Sequence, residues 1–239
     1  MYMLNDLRAT LYETFGYLLP GIVFLTALVI LFWAIYLPAS PLGYVELSFQ
    51  MIAALLLLAY FFGHLNQALG NLLTKILRSP EETVLSKGQS GSMPHHLVHI
   101  AQTRASALLG IDLSEINPEW LFRICDETLV QRGVCTDREI YQYREGFYRG
   151  LTVSFFALTV SLMVRTVIPG ASLKLGSSVQ AMNTPELLFF ILLSASGVWL
   201  AFRRYSRFSR YRVSHAIIGF LVLPEPEKIK DHIEESKNA

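Results

Sequence analysis

The run from Leu47 to Phe62 is almost purely apolar, and Gly63 to Arg78 keeps a helical pattern while becoming amphipathic. No proline interrupts Val45 to Arg78. A single helix over that span, rising about 1.5 Å per residue, is roughly 50 Å long, against a hydrocarbon core of about 30 Å. The pattern therefore predicts a helix that crosses a bilayer and continues into the cytosol as a stalk.

Three further runs suit the same solvent. Phe15 to Leu37 is uncharged for 23 residues, with Pro20 and Gly21 near one end. Trp33 and Tyr36 lie near its other end, at the headgroup level that amphipathic rings prefer. Gly150 to Ile168 is the third run, with Arg165 close enough to its end to reach the headgroups. Leu187 to Phe202 is the fourth, and its small residues Ser194 to Gly197 favour close helix approach. Pro38 to Gly43 reads as a short turn and Ala171 to Thr184 as a polar outer loop. Overall 52% of residues are hydrophobic and 16% charged, where a soluble domain carries about 25% charged residues.

The basic residues set the orientation. Nine Lys and Arg fall between the second and third runs and eight after the fourth, whereas the two outer connections hold only Lys174. By the positive-inside rule, both termini and the long insert face the cytosol of a bacterial-type inner membrane. Met1 to Thr14 has one basic residue, and the apolar run after it is too long for a signal core, so no cleaved leader is expected. Cys125 and Cys135, on the cytosolic side, are expected to be reduced thiols.

The insert is helical in pattern. Ser79, Pro80 and Glu82 form a capping box. His95 to Leu109 is a helix stopped by Gly110, and Asn117 with Pro118 starts another that Gly133 ends. Thr136 with Glu139 opens a helix expected to run unbroken through Gly150 into the third span. The fold class is thus an all-α integral membrane protein, with four transmembrane helices and a helical cytosolic insert between helices 2 and 3. The expected divisions are a membrane part over 1–63, stalk and insert over 64–148, a second membrane part over 149–203 and a basic tail over 204–239.

Three groups of residues are candidates for function. On the stalk, His64, Asn66, Gln67 and Asn71 share one polar arc of about 180°, which either meets water or lines a vestibule between subunits. In the tail, Arg203, Arg204, Arg207, Arg210 and Arg212, interleaved with Tyr205, Phe208 and Tyr211, are expected to bind anionic lipid headgroups or phosphate. His95 and His99 are one turn apart on a helix, a spacing that can chelate a metal, but no acidic residue lies within that helix. No metal site and no cofactor is expected. Arg210 and His215 have four residues between them, the spacing of the Arg-to-His motif in HEPN ribonucleases. The tail is nonetheless read as lipid-facing, and a net charge of +1 offers no global field for nucleic acid.

No Gly-rich phosphate loop, nucleophile elbow or pair of intramembrane carboxylates is present, so an enzyme is not expected. The leading expectation is a homo-oligomeric channel or membrane-perturbing effector. Its cytosolic helical module would respond to a cytosolic protein or a small-molecule ligand. The alternative is a non-enzymatic membrane scaffold or receptor that tethers a cytosolic partner.

Overall fold

The computed structural model describes residues 2–36, 48–76, 80–85, 93–134, 138–167 and 184–224. Seven helices account for 90% of it, and no strand occurs among the described residues. In chain order they are α1 (Tyr2–Tyr36), α2 (Phe49–Ile76), α3 (Pro80–Leu85), α4 (His95–Leu109), α5 (Pro118–Gln131), α6 (Arg138–Val167) and α7 (Thr184–Val222).

Four of these carry stretches long and apolar enough to cross a membrane: Thr14–Ile35, Phe49–Thr74, Ile140–Val167 and Pro185–Val222. Most of that apolar surface is not covered by protein. In the most apolar windows of α2 and α7 only 17% of residues are buried, and Phe49, Leu57, Phe61, Phe189 and Leu192 stand well exposed. Helices that are apolar all round and largely uncovered need lipid as their solvent. This is the make-up of a multi-pass helical membrane protein. The last stretch is 38 residues long and includes the arginines from Arg203 to Arg212. A span needs about 20 residues, so only the N-terminal part of α7 suits hydrocarbon.

Local signals explain the helix ends. Pro118 sits in the first turn of α5, and the Asn117 side chain accepts from the Glu119 N–H at 2.9 Å. α4 stops at Gly110, whose φ of 69° is left-handed and open to glycine without strain. α6 runs without a break through Gly146 and Gly150. The Thr136 cap, the turn at Pro38 to Gly43, the loop after Ala171 and Cys135 lie outside the described residues.

The chain divides into two units: Met1–Leu77 with Gln142–Phe208, and Arg78–Tyr141 with Ser209–Ala239. In the first, α1 and α2 meet backbone to backbone. A Cβ added to Gly63 would lie 2.1 Å from the Tyr17 carbonyl oxygen, and one on Gly21 would lie 1.8 Å from that of Ala59. Only glycine permits that approach, and the van der Waals contact it allows is what holds helices together in lipid. Between α6 and α7, Thr159 Oγ1 lies 3.0 Å from Ser194 Oγ beside a small cluster of Leu162, Leu187 and Ile191.

The second unit has a core of the soluble kind. Val84 and Leu85 of α3, Val98, Ala101 and Ala105 of α4, and Leu121, Phe122, Cys125 and Leu129 of α5 are buried together. Val213, Ala216, Ile217 and Phe220 of α7 form a further wall. Their spacing of three, four and seven residues is one face of a helix.

Candidate binding groove and the polar face of α2

The first unit places the four residues of the α2 arc differently from one another. Asn66 is fully buried. Its Nδ2 donates to the Gly150 carbonyl at 2.7 Å and to Ser154 Oγ at 2.6 Å. The Ser154 hydroxyl in turn donates to the Pro20 carbonyl at 2.7 Å, so one network joins α1, α2 and α6. Gln67 Nε2 donates to the Gly146 carbonyl at 2.6 Å, and its Oε1 accepts from Arg149 at 3.3 Å. His64 is exposed and stacks on Tyr17 with ring centroids 3.9 Å apart. Asn71 is exposed, with its carbonyl accepting from Thr74 Oγ1 at 2.9 Å. The two inner amides thus join helices, each such bond adding about 0.6–2 kcal/mol in lipid.

The five arginines of the expected headgroup stripe fall in both units. In the first, Arg203, Arg204 and Arg207 are exposed, and the Arg203 guanidinium lies 5.4 Å from the centroid of the Trp199 ring. In the second, Arg210 is exposed, whereas Arg212 is held inward. It pairs with Glu81 at 3.0 Å and sits 4.7 Å over the Phe122 ring. His215 Nε2 lies 3.5 Å from the Tyr141 hydroxyl.

Also in the second unit, one face of α4 lines a groove of about 720 Å³. Ile100, Thr103, Arg104, Ala107 and Leu108 supply that face, with Thr128 and Arg132 of α5 and the end of α7 opposite. Two guanidinia finish the end of α7. Arg104 donates to the carbonyls of Leu221, at 2.6 Å, and of Leu223, and lies over the Phe220 ring. Arg132 reaches the Pro224 carbonyl at 3.4 Å. Carbonyls in a last helical turn have no partner within the helix, and cationic donors there also suit the helix dipole. The exposed rim carries apolar Ile100 and Leu108, 50% and 39% exposed, beside the exposed polar side chains of His99 and Thr103.

His95, His99 and Asp112 border an adjoining cavity of about 480 Å³. No three His, Cys, Asp or Glu side chains gather to hold a metal among the described residues. The Asp112 carboxylate accepts the Ser114 N–H at 2.9 Å, which holds its pKa below the usual carboxylate value.

No family model, curated protein or solved structure matches this chain. Function has therefore to be read from the chemistry of the groove itself. Its volume lies within the range of about 300–1,000 Å³ typical of binding sites, and its walls mix apolar side chains with His99, Thr103, Arg104, Thr128 and Arg132.

Three features of these sites are not apparent from local pattern. The stripe Val213, Ala216, Ile217 and Phe220 has core spacing but follows a basic run that reads as lipid-facing. Glu81, which fixes Arg212, lies 131 residues away in sequence. Asn66 finds its partners 84 and 88 residues away.

Proposed function

We propose that the chain is a membrane scaffold or receptor, without catalysis of its own, that tethers a soluble cytosolic protein through the groove of its second unit. The groove carries this reading. An α4 face with anchors at Ile100, Thr103, Ala107 and Leu108, facing the end of α7, is a trough into which an amphipathic partner helix can lay its apolar side. Arg104 and Arg132, held in place by backbone carbonyls, give the trough cationic edges for acidic flanks on the partner.

The insert faces the cytosol of a bacterial-type inner membrane in this reading, on the strength of the Lys and Arg distribution. Arg203, Arg204 and Arg207 then meet anionic headgroups. A homo-oligomeric channel or membrane-perturbing effector, gated through the same unit, is the competing reading. It needs free polar groups along a shared vestibule. The engagement of Asn66 and Gln67 inside one chain favours the scaffold.

The test uses the full chain purified from its membrane. A discrete soluble protein should co-purify at fixed stoichiometry, and Ile100→Asp with Leu108→Asp should release it while leaving the elution profile unchanged. Purified protein in vesicles should not raise dye leakage. Leakage that rises with protein, with no soluble partner retained, would return the channel.

A further inference from the structure

We propose that the first unit holds a single anionic phospholipid in a cavity at one end of the helical bundle. The cavity measures about 420 Å³ and is bounded by the start of the α1 span, one turn of α6 and Phe208 of α7. This site is independent of the groove.

Three observations specify the occupant. First, among the described residues Arg144 is the charged residue lining the cavity and no carboxylate lines it, so the site favours an anion. The guanidinium lies 5.5 Å from the centroid of the Phe208 ring, and Tyr148 stacks on that ring, with centroids 5.5 Å apart and planes 9° apart. The cation is thereby held against a fixed aromatic wall.

Second, the remaining wall is apolar and sits where a span begins. Phe15 and Leu19, 51% and 44% exposed, belong to the first turns of the stretch Thr14–Ile35. A free phosphate has no use for that wall, whereas a lipid places its glycerol and upper chains there while its phosphate stays at headgroup depth.

Third, Gly16 lines the cavity, and a Cβ there would meet nothing within 4 Å, so space for a headgroup is open beside it. A phosphodiester whose headgroup carries no cation, as in phosphatidylglycerol, matches the positive charge of Arg144.

The experiment titrates the delipidated full chain in detergent with phosphatidylglycerol or phosphatidylcholine and counts bound lipid by native mass spectrometry. Wild type should hold one phosphatidylglycerol about tenfold more tightly than phosphatidylcholine, whose choline cation offsets the phosphate charge presented to Arg144. Arg144→Gln should abolish the preference. Gly16→Leu should do so by filling the cavity, since a Cβ there meets nothing within 4 Å. Arg123→Gln, on the second unit, should leave it intact. Retention of the preference by either cavity variant overturns the site, as does equal binding of the two lipids by wild type. Displacement of the lipid by glycerol 3-phosphate at equal concentration identifies a free-anion site and overturns the lipid assignment. Should Arg144→Gln fail to fold, Gly16→Leu decides.

Discussion

Asn66 has no exposed surface, and both of its amide hydrogens are engaged on α6. Asn66→Leu removes both bonds and crowds the helix contact. Loss of about 1–2 kcal/mol is expected, read as a lower unfolding midpoint of the detergent-purified chain. Asn71→Leu, at an exposed position, should change the midpoint by less than about 0.5 kcal/mol. Cys125 is a different kind of buried group. Burial, reinforced by the neighbouring Asp126 carboxylate, pushes its thiol up from 9.0 to about 12. The folded state therefore keeps a proton that the unfolded state loses above pH 9.0, so stability from this group is constant below that pH and falls as pH rises toward about 12. Near neutral pH the native thiol should resist alkylation and react only on unfolding; rapid native labelling would show the second unit's core to be open.

At the scale of elements, the end of α4 and both ends of α5 were legible because each is written in adjacent residues: Gly110 for one, Asn117, Pro118 and Gly133 for the other. The four long apolar runs were legible for the same reason. The role of the last half of α7 was not. Its stripe from Val213 to Phe220 can face lipid or protein equally well, and what decides is the presence of Leu121, Phe122 and Leu129, far away in the chain. The α2 arc was visible as polar, but whether it met water, a subunit or α6 depended on Gly150 and Ser154. Close approach was likewise unwritten locally. Gly63→Leu should part α1 from α2, because its Cβ would fall 2.1 Å from a backbone oxygen. Disulfide cross-linking of paired cysteines along those two helices should be lost in this variant, and unchanged cross-linking would show the contact to be slack.

For the whole molecule, the four apolar stretches and the one-sided Lys and Arg distribution are the grounds for proposing that the second unit faces the cytosol. Single cysteines at Ser40 and Ser177, in a chain lacking Cys125 and Cys135, should react with an impermeant thiol reagent added to intact cells, and one at Ser90 should not. Labelling at Ser90 would reverse the orientation and with it the class of partner. The groove can be interrogated in place by installing a photo-reactive residue at Ile100 or Leu108 of the full chain in its native membrane. One discrete soluble protein should be cross-linked from both positions and not from Arg123; cross-links only to a second copy of the chain, or the same products from Arg123, would contradict the scaffold.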